Sequence, residues 1–474
     1  MLWLSIYFPQ FALDIRPSRE STPLAITDKH GSRRWLIACN VACQSAGIHR
    51  GMDVTGALAR DPTLKLVERS KSSERQAMKA CGAWAEQYSN SVFFDPSRWM
   101  LWIEIGASLT YFGGLDALVR NIDENIESLG YSVRFGVAPT VEAAAIFAVA
   151  AQTGGVQHKS KLIDALSPLP IRLLNASPDT IEALKSVGWQ RIGEILALPR
   201  DQLSRRFGPE FTLYIEKLVG AHPDPREPYR APTTYRRRFD FADPIHNVEA
   251  MLFPLRRMLS ELQGFLRGRD TALQRLTLEL RHHKQQPTLI ELRTTAPQRD
   301  SGRLLALLRE QLDRTLLPAD ITELALTVDQ FVALGDTQLD LFNTTPKREN
   351  DWADLLDKLR ARLGDNAVKR LGLSNDHRPE KAWCVVHQDQ PEDSVASALN
   401  THDDEPERPF WLLDPTPLLQ LPRLLGKPER IEAGWWTGDE CRRDYYIAET
   451  SEGSRWWLYR DAKKQQWFLH GLWS

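Results

Sequence analysis

The first 165 residues alternate apolar strands with helices, and this order constrains the fold more than any other feature of the sequence. Buried strands are predicted from "LWLSIYF", "MLWIEIG" and "YSVRFGVAP", because each is short, apolar and rich in β-branched or aromatic residues. Apolar spacing and terminal glycines predict helices over residues 115–130 and 140–155. The order strand, strand, helix, strand, helix indicates an α+β domain, with an inserted helical piece near residues 40–80.

The next two segments differ in character from the first. The sequence of residues 166–222 predicts short helices and no strands. A turn at Gly188 suggests helix-hairpin-helix units, which present backbone N–H groups to DNA phosphates. An ordinary small helical domain fits the same pattern. A proline-rich linker follows at residues 223–232, and a second α+β unit is predicted over 233–334.

Part of this second unit is basic. Residues 233–300 hold 12 Lys and Arg against 8 Asp and Glu, in a chain whose net charge is -2. Such an excess suggests contact with a phosphate backbone, and solvated strand faces are an equally good interpretation. The candidate DNA-binding residues are Arg236, Arg237, Arg238, Arg281, Lys284 and, in the helical segment, Gly188. We expect any such binding to be weak, independent of sequence and sensitive to salt.

The last part of the chain combines an acidic segment with a tryptophan-rich end. Residues 346–410 predict one helix followed by a flexible tether, because 388–407 hold seven acidic residues and no Lys or Arg. Over residues 411–474, aromatic and polar residues alternate as in a small antiparallel sheet. Six of the fifteen tryptophans lie from residue 435 onward, which indicates a compact core, a partner-binding face, or both. The candidate partner-binding residues are Trp435, Trp436, Trp456, Trp457 and Trp467.

Bulk composition and scattered residues exclude other classes. A length of 474 residues, a pI near 6.6 and a mean hydropathy of -0.38 predict a soluble, multidomain, cytoplasmic protein without a signal peptide or membrane span. The five cysteines form no CxxC pair, and Cys39 and Cys43 are expected to be buried thiols rather than zinc ligands. His282 and His283 should point to opposite faces of a strand, so no metal site is predicted.

The order of these parts resembles the Y-family of translesion DNA polymerases over roughly residues 1–342. The tail, with "ERIEAGWWTGDECRRDYY" and "WFLHGLW", is typical of the ImuB-type subgroup, the polymerase-like subunit of bacterial mutasomes. The resemblance implies an α+β multidomain fold with palm and fingers over 1–165, a helix-hairpin-helix thumb over 166–222, a linker, a little finger over 233–334, a clamp-binding peptide over 335–345, a tethering segment over 346–410 and a partner-binding module over 411–474.

The clamp-binding peptide is carried by the stretch "GDTQLDLFN". Gln338, Leu339, Asp340, Leu341 and Phe342 match the pentapeptide by which bacterial polymerases hold the sliding clamp. The resemblance implies that Gln338 forms a hydrogen bond at the mouth of a clamp pocket while the apolar side chains fill it. A short buried strand is the alternative, because Leu339 and Leu341 alternate with Asp340.

The resemblance does not extend to the metal ligands. Polymerase chemistry needs paired carboxylates to hold two Mg²⁺ ions. Ser5 begins "SIYFPQ" where the family has Asp-x-Asp, and Trp99 and Met100 stand at the positions of an Asp-Glu pair. We expect Glu104 to be structural and Asp14 to lie too far from the site to replace a ligand.

The residues that hold the nucleotide's phosphates differ as well. Val41 and Gln44 replace a Tyr-x-x-Arg motif, and Val141 and Ala145 replace palm lysines. The resemblance therefore implies a non-catalytic scaffold without a cofactor or metal. It would bind clamp and DNA, and recruit an error-prone polymerase and a RecA-like accessory protein of the ImuA type during the SOS response to DNA damage. The alternatives are an active Y-family polymerase with rearranged metal ligands and a DNA-binding remnant without partners.

Overall fold

The computed structural model describes most of the chain. The described residues are 1–16, 22–31, 33–151, 155–333, 346–364, 367–374, 376–386, 408–435 and 438–473. The clamp pentapeptide, the acidic segment 388–407 and Trp436 lie outside them. The chain forms two compact units, residues 1–362 and 363–474. Within the described ranges, no helix combines the length and apolar character needed to cross a bilayer.

The amino-terminal domain of the first unit mixes strands and short helices. Its strands β1 to β7 are Trp3–Tyr7, Leu24–His30, Arg33–Cys39, Lys65–Glu68, Val92–Asp95, Met100–Glu104 and Arg134–Ala138. Its helices α1 to α6 are Phe11–Asp14, Val41–Ser45, Val54–Arg60, Lys71–Ala85, Leu115–Ser128 and Val141–Ala150.

A four-stranded sheet in the order β5-β6-β1-β7 forms the centre of this domain. Strand β1 is antiparallel to both neighbours, so that Ser5 lies opposite Trp102 and Gly136. Helix α6 packs so closely against β7 that a Cβ at Gly136 would collide with the backbone at Ala144 and Ala148. The three predicted strands and two predicted helices are thus confirmed.

The piece inserted near residues 40–80 is not purely helical. Strands β3-β2-β4 form a second small sheet, in which β2 is antiparallel to β3 and parallel to β4. Cys39 and Cys43 are buried in its core, which confirms that they are packed thiols. The expected helical piece is confirmed apart from β4, because residues 41–85 otherwise form helices α2, α3 and α4. The β2–β3 hairpin that precedes it was not predicted, because "TDKHGSRR" places charged residues across the hairpin and hides its apolar alternation.

Residues 162–219 are all-helical, as predicted. Helices α7 to α11 are Leu162–Leu166, Pro178–Ser186, Ile192–Leu196, Arg200–Phe207 and Pro209–Val219. Ser177 caps α8, because its side chain accepts a hydrogen bond from the Thr180 N–H at 3.1 Å, and Pro178 occupies the first helical position.

The second α+β domain is a sheet covered by helices on one face. Its elements in chain order are β8 Tyr235–Ile245, α12 Val248–Gly268, β9 Thr271–His282, β10 Thr288–Gln298, α13 Ser301–Arg314, β11 Ile321–Val328 and β12 Val332–Ala333. The main strand order is β10-β9-β11-β8, with β12 pairing to β9. Helix α12 also packs against α4 of the amino-terminal domain, where Gly264 leaves room for the Trp84 ring. Helix α14, Pro346–Leu363, follows.

The second unit contains a small antiparallel sheet, as the aromatic alternation predicted. Its elements are the hairpin strands β13 Arg370–Leu373 and β14 Trp383–Val386, then β15 Trp411–Pro417, β16 Arg423–Ala433, β17 Cys441–Glu449, β18 Arg455–Asp461 and β19 Trp467–Leu472. The last five form one sheet in the order β15-β19-β18-β17-β16. The β13–β14 hairpin lies within residues 346–410, where the sequence predicted only a helix and a flexible tether, so this hairpin was not predicted. The α+β multidomain fold is confirmed.

Candidate functional site

Of the three positions where the family carries metal-binding carboxylates, Trp99 and Met100 line one cleft of the amino-terminal domain, and Ser5 is buried in the neighbouring strand β1. Ser5 lies at the middle of β1, Trp99 immediately precedes β6, and Met100 is the first residue of β6. All three are buried. The Ser5 hydroxyl has no hydrogen-bond partner among the described residues, so this point of the sheet provides neither charge nor a polar network.

Trp99 is held in an unusual conformation by charged neighbours. Its φ is +53°, in the left-handed region that residues other than glycine seldom adopt. The indole N–H donates to a Glu74 carboxylate oxygen at 2.8 Å. Arg69 donates two hydrogen bonds of 2.7 Å to the same carboxylate. The indole ring is therefore fixed where the family pattern places an acidic side chain.

Arg69 connects this arrangement to the neighbouring small sheet. Besides Glu74, its guanidinium donates to Asp28 at 3.0 Å. The hydrogen bonds that Arg69 donates to Glu74 chiefly raise the pKa of Arg69, against the opposing effect of burial. For Asp28, burial acts to raise the pKa, but hydrogen bonding and attraction to Arg69 lower it below its usual value. Both groups are charged at neutral pH.

Two further arginines lie at the cleft. The Arg50 guanidinium carbon is 5.5 Å from the centre of the Trp99 ring, and that of Arg69 is 5.3 Å from the same ring. Arg98 lies 5.3 Å from the Trp102 ring and donates to both oxygens of Glu142 at 3.1 Å. Cationic side chains thus surround the place where a metal site would need anionic ones.

The cleft has a volume of about 330 Å³. Arg50, Arg69 and Arg98 line it, and neither Asp nor Glu does so among the described residues. Elsewhere in the described ranges, no three His, Cys, Asp or Glu side chains lie close enough to hold a metal ion.

The positions that correspond to the family's phosphate contacts do not line this cleft. Val41 and Gln44 are exposed at the start of α2. Val141 and Ala145 are buried in an apolar cluster with Met100. An uncharged cluster therefore takes the place of the palm lysines, as the sequence predicted.

Glu104 and Asp14, the nearest alternative carboxylates, are occupied elsewhere. Glu104 accepts hydrogen bonds from the backbone N–H groups of Leu2 at 3.0 Å and Gly106 at 3.1 Å. Asp14 accepts from the Ser132 N–H at 2.9 Å, and burial raises the pKa of Asp14 to about 6. Neither lines the cleft, which agrees with the structural role expected for Glu104.

The turn at Gly188 does not offer free N–H groups to a phosphate. Gly188 has a φ of +92°, and its N–H donates to the Lys185 carbonyl at 2.8 Å. The N–H groups of Gln190 and Arg191 both donate to one carboxylate oxygen of Glu194, at 2.7 and 2.8 Å. These backbone bonds lower the pKa of Glu194. The backbone N–H groups of Gly188, Gln190 and Arg191 are therefore already paired within the chain, and contact between the exposed Gly188 and DNA stays a prediction.

The predicted basic residues on β8 lie on two different faces of the second sheet. Arg236 and Arg238 are exposed on the face that α12 and α13 leave open. Arg237 points to the helix-covered face and is buried, with its Nε donating to Glu261 at 2.7 Å. Arg237 is therefore a core residue, and its assignment as a DNA contact was wrong.

The remaining predicted DNA contacts differ in how far they are paired. Arg281 forms ion pairs with Glu279 at 2.8 Å and with Glu323 at 3.5 Å. Arg238 also approaches Glu323 at 3.5 Å. Arg236 and Lys284 are exposed, and within the described ranges neither has a carboxylate partner. Of the predicted set, these two have the side chains most available to a phosphate.

The tryptophans of the tail divide in the same way. Trp457 is 2% exposed and stacks on Tyr445 with ring centres 4.1 Å apart, so its assignment as a partner contact was wrong. Trp456 and Trp467 are half-buried, and Trp435 is 74% exposed.

His470 and His282 are packing residues, whereas His283 is exposed. His470 is buried beside Tyr445, with the Tyr445 hydroxyl 2.8 Å from His470 Nδ1. Burial lowers the pKa of His470 to about 4. His282 is buried and His283 exposed, as strand alternation predicted.

Comparison with known proteins supports the resemblance seen in the sequence. Residues 2–148 match the impB/mucB/samB family. The ImuB proteins of two Caulobacter vibrioides strains are each 26% identical over 467 residues, covering 90% of this chain and 99% of the relative. DNA polymerase IV of Shewanella halifaxensis is 22% identical over 285 residues, covering 59% of this chain and 79% of the relative.

Solved structures with similar folds include DinB from Sulfolobus solfataricus and an insertion ternary complex of Dbh DNA polymerase. They are 17% and 16% identical, with TM-scores of 0.38 and 0.39, and each covers 70% of this chain and 100% of its own. The sequence relationships carry the conclusion. Residues 2–148 are similar to the impB/mucB/samB family, and the chain is similar to ImuB over nine-tenths of its length.

Proposed function

We propose that this protein is a non-catalytic, polymerase-like scaffold of a bacterial translesion-synthesis mutasome. The observation that carries the proposal is the composition of the cleft. Ser5, Trp99 and Met100 replace carboxylates, and among the described residues three arginines and no acidic residue line the cleft. Mg²⁺ requires oxygen ligands, usually carboxylates, and fixed guanidinium groups repel it.

The active-polymerase alternative would need other carboxylates to move into the cleft. Asp14 and Glu104 each accept backbone hydrogen bonds away from it. Glu74 and Glu142 are buried and paired with arginines. Freeing Glu74 or Glu142 would break a buried ion pair, which costs several kcal/mol by order of magnitude.

Recruitment is the function that remains for such a scaffold. The pentapeptide Gln338–Phe342 would bind the sliding clamp, and Arg236 and Lys284 would contact DNA weakly through phosphates. The exposed Trp435 and the half-buried Trp456 and Trp467 of the tail would bind an error-prone polymerase and an ImuA-type, RecA-like accessory protein. This role belongs to the cytoplasm during DNA-damage-induced mutagenesis.

A clamp titration tests the scaffold proposal. Leu341→Ala combined with Phe342→Ala should weaken clamp binding by about a thousandfold, because each apolar anchor commonly contributes on the order of 2 kcal/mol. The melting temperature of this double variant should equal that of the unmodified protein. Leu316→Ala, at a 93% exposed leucine outside the peptide, is the matched control and should change neither quantity. Unchanged clamp affinity together with a clear drop in melting temperature would show that the peptide is a core strand instead.

A further inference from the structure

We propose that helix α14 carries a second contact for the sliding clamp, directly after the pentapeptide. The contact is an apolar stripe formed by Trp352, Leu355, Leu356 and Leu359. The stripe would pack against an apolar clamp surface with an acidic rim. This inference deepens the scaffold proposal and rests on its clamp-binding peptide.

The apolar side chains of α14 follow a helical period. The stripe occupies positions i, i+3, i+4 and i+7, so its members share one side of the helix. Trp352 is 61% exposed and Leu355 is 47% exposed. Leu356 and Leu359 are half-buried. This spacing of apolar anchors is typical of helices that lie in a groove of a partner protein.

The opposite side of α14 attaches the helix to its own domain through small and polar residues. Ala353, Asp357 and Ala361 are 7%, 2% and 2% exposed. The Asp357 carboxylate accepts hydrogen bonds from the backbone N–H and the hydroxyl of Thr295 in β10, at 2.7 and 2.6 Å. Arg314 of α13 donates to the Ala361 carbonyl at 3.0 Å. The helix therefore buries alanine and aspartate in its own domain and turns its largest apolar side chains outward.

This arrangement is the reverse of an ordinary surface helix. A helix that only completes a domain buries its apolar stripe and exposes its polar side. Exposed tryptophan and leucine forgo the hydrophobic free energy that burial would provide, and contiguous exposed apolar residues mark interaction sites. Tryptophan is also among the residue types most enriched in the anchors of protein interfaces. The stripe therefore fits a protein partner.

The short connection to the pentapeptide points to the clamp as that partner. Three residues, 343–345, separate Phe342 from Pro346, the first residue of α14. A chain of this length spans at most about 15 Å, so a clamp that holds Phe342 lies within that distance of the helix start. Two contacts linked this closely make the second one intramolecular, with an effective concentration in the millimolar range.

The charges beside the stripe indicate the chemistry of the opposing surface. Lys358 and Arg362 are exposed, and their positions three and seven residues after Leu355 place them on one flank of the stripe. A cationic flank is complementary to an acidic rim around an apolar surface. Because α14 is fixed to the second α+β domain, this contact would orient that domain on the clamp as well as strengthen binding.

Clamp titration with full-length variants tests the proposal. Trp352→Ala combined with Leu355→Ala leaves the pentapeptide intact and should weaken clamp binding by at least about tenfold, because two apolar anchors are lost. Phe253→Ala combined with Leu289→Ala is the matched control. It removes an aromatic and a leucine side chain that are 57% and 66% exposed elsewhere on the first unit, and its clamp affinity should equal that of the unmodified protein.

A charge reversal tests the expected acidic rim. Lys358→Glu should weaken clamp binding by about threefold or more, because it places a carboxylate against acidic groups. Lys79→Glu, at an exposed lysine of α4, is the matched control and should leave the affinity unchanged.

The outcomes separate this inference from the scaffold proposal. Weaker binding in both helix variants and in the peptide variant, Leu341→Ala with Phe342→Ala, supports the second contact. Weaker binding in the peptide variant with unchanged affinity in either helix variant overturns the second contact alone. Unchanged affinity in the peptide variant overturns both proposals.

Two further measurements on Trp352→Ala with Leu355→Ala test other occupants of the stripe. A melting temperature and a sedimentation mass equal to those of the unmodified protein support the clamp as the occupant. A clear drop in melting temperature would show that the chain itself covers the stripe, and conversion of a dimer to a monomer would show that a second copy covers it. Either result would overturn the proposal.

Discussion

The amino-terminal cleft and the carboxy-terminal sheet both bury a tryptophan next to polar groups, with different results. Trp99 is fixed by Glu74 and lies beside arginines at the wall of an open cleft. Trp457 stacks on Tyr445 near the buried His470 and forms a core. The cleft remains an open cavity, but arginines line it where the related polymerases have carboxylates. In the carboxy-terminal sheet, the buried aromatic rings stack on one another and stabilise the fold. Both rings are buried, so their neighbours, rather than exposure or residue type, distinguish the two tryptophans.

The largest expected effect contrasts two adjacent arginines. Arg237→Ala should destabilise the first unit by about 3–5 kcal/mol, because the buried Glu261 would lose its 2.7 Å hydrogen bond and keep only the 3.6 Å ion pair with Arg257. Arg236→Ala should change stability by no more than about 0.5 kcal/mol, since its side chain is exposed. Urea unfolding measures both effects.

The same pair should differ in the opposite sense for DNA. Arg236→Ala should reduce the slope of log affinity against log salt by about one, as expected when one phosphate contact is lost. Similar stability losses in both variants would contradict the assignment of the two faces.

A second contrast concerns the tail. Trp457→Ala should cost the carboxy-terminal sheet about 3–5 kcal/mol, as deletion of a buried aromatic side chain usually does. Trp435→Ala should leave the melting temperature unchanged and lower the capture of purified partner proteins. If Trp457→Ala lost partner binding without loss of stability, the division into core and surface tryptophans would be wrong.

The smallest expected effect is an opposite response of the two units to acid. The pKa of His470 is lowered from 6.5 to about 4, so between these values only the unfolded chain takes up the proton. The carboxy-terminal sheet should therefore lose up to about 3 kcal/mol as the pH falls through this window.

Asp14 should act in the other direction. Its pKa is raised from 3.8 to about 6, so the folded chain takes up the proton first and the first unit gains stability as the pH falls. Thermal melts between pH 7 and 4.5 would show the two trends. His470→Gln and Asp14→Asn should each remove one of them, and a trend that persists in its variant would refute the corresponding assignment.

The sequence could predict those parts of the fold that local patterns specify. The strands and helices of the first domain and the sheet of the tail followed from periodicity. The buried position of Arg237 was also readable, because it shares a strand face with Tyr235 and Phe239. The run of three arginines at 236–238 masks that signal.

Other features depend on contacts between distant residues. Nothing in the sequence brings Arg50, Arg69 and Arg98 to one cleft, since they lie on different elements. The occupation of the Gly188 turn by Glu194 depends on the direction of one side chain. The motifs thus identified the positions at which the metal-binding carboxylates are replaced. Only the structure shows that arginines from other parts of the chain line the cleft beside them.

Primer extension by the purified full-length protein tests the central claim most directly. The account predicts no Mg²⁺-dependent nucleotide incorporation on a primed template, because Ser5, Trp99 and Met100 provide no metal ligands and arginines line the cleft. Mg²⁺-dependent extension that is lost in Asp14→Asn or Glu104→Gln would contradict it and establish a polymerase with rearranged ligands.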